Sequence, residues 1–352
     1  MAGTDPSGNG GIATVIRGYL DAGLADQWPL IFLVTHRSGG VATKLATWAT
    51  AWLRLAWLLA RRRCGVLHLH ASSRSSFWRK WTFHLLGRLG GVPVIWHVHG
   101  GEFEQFFASE CTPWQQRIVR RSLEAAFRVF SLSPHWHSRL QSIAPRAHIA
   151  VVRNGVPACP AQTAMQRRPG TVLFMGRLSK GKGLFDLLEA FQQATLDLPG
   201  ARLVIAGDGD PVEVLACARK LGIDAQVELR GWIAGTTKHA ELSQACVVAL
   251  PSYAEGFPMV LLEAMVLATP AIATPVGGIP DLIQDNETGM LVAPGDVAGL
   301  AVALRRLLSE PALAARLGTA GQQAVLRDYS VKRALACLGE TYAAAGIEAP
   351  HS

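Results

Sequence analysis

Short β-branched or apolar runs alternate with longer stretches of helical periodicity along the whole chain, and that alternation points to α/β layers built on parallel sheet. In the first half the strand candidates are residues 30–35, 66–70, 94–99, 129–132 and 149–152, with helices at 13–22, 44–60, 77–89, 113–126 and 134–142. A stretch at 154–170 with Pro157, Pro160 and Pro169 and little periodicity reads as a linker. The pattern then restarts with strands at 171–175, 203–206, 226–229, 247–251, 271–274 and 289–292, separated by helices. A last helical stretch, 311–345, is long enough to cross back. The expected architecture is two Rossmann-like doubly wound domains, 1–156 and 157–325, facing a cleft, with 326–352 returning to brace the first. In such sheets ligands bind beyond the carboxyl ends of the strands, so the chemistry is sought in the loops there.

The length, 352 residues, suits two domains with a core each, and 49% hydrophobic against 17% charged residues excludes a disordered chain. The net charge of +8 is one-sided: residues 1–160 carry 18 basic and 7 acidic side chains, and 161–352 carry 16 and 19. An anionic partner is therefore expected on the first half. Six dispersed cysteines without a Cys-x-x-Cys pair read as reduced thiols of a cytoplasmic protein. The N-terminus lacks the pattern of a signal peptide. The longest apolar tract, 45–60, is broken by Arg54 and falls short of the ~20 residues of a membrane span.

The clearest signal for chemistry is the segment 251–265, in which an apolar strand ends in a loop bearing Glu255, Gly256 and Phe257. Pro258 and Met259 then open a helix carrying Val260 and Glu263. Amides at such a helix start favour a phosphate or sugar oxygen, and two carboxylates so placed can accept hydroxyl hydrogen bonds at two ends of an elongated ligand. As ordinary charges, Glu255 would be helix-proximal and Glu263 part of a solvated face.

This segment resembles the Glu-x7-Glu motif of the retaining glycosyltransferases of family 4. Further matches follow in order: Gly176-Arg177-Leu178 through Lys182-Gly183, Gly207-Asp208-Gly209, Gly231-Trp232-Ile233, and Thr274-Pro275 through Gly277-Gly278-Ile279-Pro280. The resemblance spans essentially the whole chain and implies a GT-B fold and a nucleotide-sugar donor. It implies that Arg177 and Lys182 hold the donor diphosphate, that Glu255 approaches the transferred sugar with the amides of Gly256, Phe257 and Met259 nearby, and that Glu263 meets the ribose. Trp232 and Ile233 match the place that meets the base. His99, followed by glycine at a strand end, matches the active-site histidine, and Gly10 and Gly11 lie in the N-terminal glycine loop. No metal and no further cofactor are expected, since the resemblance implies that side-chain cations hold the diphosphate. Members of the family place a full strand before the glycine loop, whereas residues 1–7 hold no apolar run; the first strand is expected to be missing.

Two features point toward the acceptor. After His68 and His70, a serine-rich turn opens a helix with Arg74, Arg79 and Lys80 close by, an anion nest or else a solvated basic turn. With His99-Gly-Gly-Glu-Phe103 it resembles members that build bacterial exopolysaccharides on polyprenyl diphosphate carriers. Trp48, Trp52 and Trp57, followed by Arg61 to Arg63, suit an interfacial membrane helix or a buried crossover helix. The expectation is a retaining hexosyltransferase acting on a lipid-linked glycan, cytoplasmic and peripheral at the inner leaflet. The alternatives are a hydrolase using the two glutamates, a GT-B sugar-nucleotide epimerase, and an inactive subunit of an assembly complex. No nucleic-acid module accompanies the pI of about 9.5.

Overall fold

The structure is a computed structural model that describes residues 1–157 and 167–349. Cys159 and most of the expected linker lie outside the described residues. The chain divides into two compact units, one formed by Met1–Pro157 with the segment from Val331 onward, the other ending at Ser330.

The first unit holds a six-stranded parallel sheet of β1 (Ala2–Thr4), β2 (Leu33–His36), β3 (Leu67–Ala71), β4 (Val94–Val98), β5 (Arg128–Ser131) and β6 (Ile149–Val151), in the order β2-β1-β3-β4-β5-β6. The strand expected to be missing is therefore present. β1 pairs with β2 through Ala2 and Leu33 and with β3 through Ala2 and Leu69. It is only three residues long, and a Cβ at Gly3 would stand 2.6 Å from Ile16 Cδ1. A strand this short, with a glycine where the next helix presses on it, leaves no apolar run to read.

All residues of β3 and β4 are buried, as befits central strands covered on both faces. On one side the helix Ser75–Leu89 lays Phe77 flat against Trp96, with centroids 4.9 Å apart, and Trp96 Nε1 donates to His84 Nδ1 at 3.1 Å. The helix Val41–Ala60 buries Ala51, Leu55 and Leu58 and packs Trp48 and Trp52 on the same core. Its other side exposes Leu45, Leu53 and Trp57, with Arg61 lying over the Trp57 ring. The helix Val331–Ala344 belongs to this unit: Val331 N–H donates to the Val156 carbonyl, and Tyr342 packs edge-on against Trp28.

The second unit repeats the architecture with β7 (Thr171–Met175), β8 (Arg202–Ala206), β9 (Val227–Gly231), β10 (Val247–Leu250), β11 (Ala271–Ala273) and β12 (Met290–Leu291), in the order β12-β11-β10-β7-β8-β9. All pairs are parallel. The strand order reverses between β7 and β10, so the loops that leave these two strands flank the crevice where such sheets bind ligands. Among the described residues no helix is long and apolar enough to cross a membrane.

Candidate active site

In the second unit the two loops at the reversal point are built on one another. After β7 the chain makes a single turn, Lys180–Lys182, and Gly183 ends it with φ +66°. A Cβ at Gly183 would stand 2.0 Å from the Pro251 carbonyl oxygen, so only glycine lets the β7 loop lie against the β10 loop. Tyr253 N–H donates to the Gly181 carbonyl at 3.0 Å, and its hydroxyl donates to Asp186 at 2.7 Å. The contact carries Lys182 to Glu255: Lys182 Nζ donates to Glu255 Oε1 at 2.6 Å, and Ser252 Oγ donates to the same oxygen at 2.7 Å. Glu255 is buried and Lys182 is partly exposed. Arg177, from the same β7 loop, is exposed and makes no ion pair among the described residues.

The loop after β11 supports this arrangement from the other side. Gly278 N–H donates to the Gly256 carbonyl at 3.0 Å, and a Cβ at Gly278 would collide with the Phe257 ring. Phe257 is buried and stacked on Tyr329, with centroids 5.4 Å apart. Pro258 caps the helix Met259–Val266, whose opening amides at Met259 and Val260 lie in the turn that leaves backbone donors without intrahelical partners. One turn on, Glu263 Oε2 lies 2.5 Å from Lys238 Nζ. Burial pushes the Glu263 carboxyl above its ordinary range, and the Lys238 ammonium pulls it partly back. Trp232, just past β9, is exposed, with Ile233 half-buried beside it.

In the first unit Gly10 caps the helix Gly11–Asp21 with φ +116°, and a Cβ at Gly10 or Gly11 would meet nothing within 4 Å, so their backbone faces open space. Arg17 braces this glycine loop by donating to the Pro6 carbonyl. His99 continues β4, its N–H donating to the Ala71 carbonyl at 2.8 Å. It is 9% exposed, and burial with the Lys80 ammonium nearby holds its imidazole down at about 3. His99 Nε2 and His70 Nδ1 share a hydrogen bond of 2.9 Å.

The basic residues of the serine-rich turn part company. Arg74 is taken by two acids, pairing with Glu110 at 2.8 Å through Nε and with Glu102 through Nη1. Arg79 is half-buried with Nε lacking a partner among the described residues. Lys80 points inward and is 1% exposed, and burial depresses its ammonium to about 7. Among the described residues His68, His70 and His97 form the one three-residue group of metal-capable side chains, with ligand atoms within 4.8 Å of one another. A tetrahedral zinc with nitrogens at ~2.0–2.1 Å needs them about 3.4 Å apart and converging. Here the His68 and His97 rings stack at 8° and those of His68 and His70 at 26°, so the rings lie on one another instead of fanning out around a common point.

The sequence reading missed Ser252, Lys238 and the His70 contact. Ser252 lies within the segment 251–265 as an unremarkable loop serine, and Lys238 carries no local signal because its partner is 25 residues away in the chain.

Two family models match in tandem: Glycosyltransferase Family 4 over residues 21–158 and Glycosyl transferases group 1 over residues 159–324. The phosphatidyl-myo-inositol mannosyltransferase of Mycobacterium leprae is 30% identical over 274 residues, covering 76% of this chain and 70% of that one. The chain belongs to the glycosyl transferases group 1. Within this family it is also similar to the glycogen synthase of Mycobacterium tuberculosis, 34% identical over 203 residues, although that match covers 56% of this chain and about half, 49%, of the synthase. Among solved structures, Anabaena Alr3699/HepE in complex with UDP and glucose superposes with a TM-score of 0.75 at 17% identity, over 97% of this chain and 99% of that one. That likeness shows the GT-B fold, and the two doubly wound parallel sheets are those the family 4 resemblance implies.

Proposed function

We propose that the protein is a retaining hexosyltransferase that moves a sugar from a nucleoside diphosphate to a hydroxyl of a lipid-linked glycan. The observation that carries this reading is the meeting of Lys182 and Ser252 on Glu255 at the reversal point of the second sheet, with the exposed Arg177 on the same loop. A departing nucleotide gathers negative charge on its diphosphate, and cations held at that place stabilise it as it forms. The presence of UDP and glucose in HepE supports the same class of donor.

In the proposed reaction the bond from the anomeric carbon to the diphosphate oxygen breaks, helped by Arg177 and Lys182. The acceptor oxygen bonds to that carbon on the same face, and its proton passes to the departing phosphate. Glu255 orients the sugar, Glu263 accepts from the ribose hydroxyls, and Trp232 and Ile233 flank the base. His99 meets the donor sugar, and the bare backbone at Gly10 and Gly11 admits the phosphates. No metal is needed, because side-chain cations take its place.

For the acceptor, the positive first unit suits a diphosphate lipid; of the three basic residues of the serine-rich turn only Arg79 is left for it, since Arg74 is paired with carboxylates and Lys80 is turned into the core. The exposed Leu45, Leu53 and Trp57 beside Arg54 and Arg61 suit a helix that rests on an anionic inner leaflet. The test is a thermal-shift screen of sugar nucleotides, followed by transfer assays of the best binder with membrane lipid extracts. The reading expects one nucleotide-sugar to raise the melting temperature and its labelled sugar to enter the lipid fraction. No stabilisation by any sugar nucleotide would overturn it.

A further inference from the structure

Beneath His99 lies a row of imidazoles that the transfer reaction does not itself use. β3 and β4 run in register, His70 opposite His97, so the alternation of strand side chains puts His68, His70, His97 and His99 on one face of the sheet. Their ring centroids are 4.4 Å apart from His68 to His70, 5.0 Å from His70 to His97 and 4.2 Å from His97 to His99. All four are buried. Two hydrogen bonds tie the row together: Tyr342 Oη with His68 Nδ1 at 2.7 Å, and His70 Nδ1 with His99 Nε2 at 2.9 Å.

Burial pushes every one of these rings well below the ordinary histidine range, and the Lys80 ammonium further disfavours charge on His70 and His99. Near neutral pH the bond between His70 and His99 therefore holds one proton between two neutral rings, and its direction decides which nitrogen of His99 carries hydrogen. The other nitrogen of His70, Nε2, is buried without a partner among the described residues. If His99 were the donor, His70 would bear its proton on Nε2 and bury an N–H with no acceptor. Orphaned buried N–H groups are rarer in folded proteins than bare acceptors. The economical arrangement has His70 donating through Nδ1. His99 then accepts through Nε2, and its own proton sits on Nδ1.

We infer that His70 is a positioning residue for His99, fixing it as the Nδ1–H tautomer so that it meets the donor sugar as a hydrogen-bond donor and not as a base. The inference rests on the proposed role of His99 in glycosyl transfer. It also fits the chemistry proposed there: an Nδ1–H can hold a sugar oxygen but cannot take the acceptor proton, which leaves the departing phosphate as its destination.

The test combines a spectroscopic and a kinetic readout on the full chain. Histidine-labelled protein gives the tautomer of His99 by nitrogen and carbon NMR, the resonance being assigned through the His99→Gln variant. The Nδ1–H form is expected in the wild type and a mixture of tautomers in His70→Leu. His70→Asn, whose side-chain amide can donate from nearly the place of Nδ1, is expected to restore the single form. Kinetically, kcat is expected to fall about tenfold in His70→Leu, the scale of one hydrogen bond. KM for the donor is expected within twofold, with recovery of kcat in His70→Asn. An Nε2–H tautomer of His99 in the wild type overturns the inference even if His70→Leu fails to fold, and so does a tautomer unchanged in a folded His70→Leu. Absence of any sugar transfer by the wild type would count against the proposed function alone, because the NMR result stands without it.

Discussion

Gly277 lies directly against the backbone of Glu255: a Cβ built at 277 would come within 1.8 Å of the Glu255 carbonyl oxygen, and Gly277 has φ +57°. The β11 loop thus sets the height of the loop that carries the candidate carboxylate. Gly277→Ala combines a strained backbone with a clash against main chain, and a loss of about 1–3 kcal/mol of stability is expected. Gly181→Ala is the control, since nothing lies within 4 Å of its Cβ, and it should stay within about 0.5 kcal/mol of wild type. Urea unfolding of the two variants checks this, and equal midpoints would mean that the loop packing does not constrain Glu255.

Arg177→Ala and Lys182→Ala should each lower kcat by about 10²–10³, the scale of removing one preorganised group from a site of developing charge. Arg177 is exposed, so its variant should melt with the wild type. Turnover at the wild-type rate by both variants removes the diphosphate role from these cations.

Lys238 restrains a carboxyl that burial has already pushed up. In Lys238→Met the Glu263 carboxyl should rise further and take up its proton at a higher pH than in the wild type. A protonated carboxyl accepts more weakly from hydroxyls, so the loss of nucleotide affinity on acidification, about tenfold if one strong hydrogen bond is lost, should set in at a higher pH in the variant. Calorimetric titration with nucleotide across a pH series distinguishes the two proteins, and superimposable profiles would place the ribose elsewhere.

Acid should weaken the first unit before the second. His68, His70, His84, His97 and His99 all have imidazoles depressed by burial, His84 to about 4 and His99 to about 3. Because the folded values lie below the unfolded value of about 6.5, the unfolded chain binds protons that the folded chain refuses. Their stabilising contribution is full above pH 6.5 and is lost as the pH falls from there through the folded values. Each such group costs about 1.4 kcal/mol per pH unit within its window. Calorimetric scans at pH 7.5 and 5.5 should show the transition of the first unit shifted down by more than that of the second. Equal shifts would mean that the histidine row is open to solvent.

Eleven of the twelve strands lie close to the expected runs, because parallel strands covered on both faces are mostly apolar and such a run stands out between helices. β1 escaped because three residues with a glycine make no run at all. The loop residues Arg177, Lys182, Glu255 and Glu263 were legible because they cluster within short motifs at strand ends. What they touch was not. The pairing of Glu263 with Lys238, the expenditure of Arg74 on Glu102 and Glu110, and the inward turn of Lys80 depend on neighbours brought close only by packing. The serine-rich turn looked like one basic cluster because adjacent helix residues point in different directions, and a linear reading counts their charges without their directions.

The first unit is discontinuous in sequence, closed by the helix Val331–Ala344, whose Tyr342 bonds His68 across 274 positions of chain. During synthesis the N-terminal sheet emerges early yet waits for nearly the entire remainder of the polypeptide before its last buried contacts can form. The second unit, contiguous between the two crossings, can complete its own core sooner. A chain cut after residue 330 would keep every described residue of the second unit yet leave the first without the helix that closes it, its histidine row lacking the Tyr342 hydroxyl.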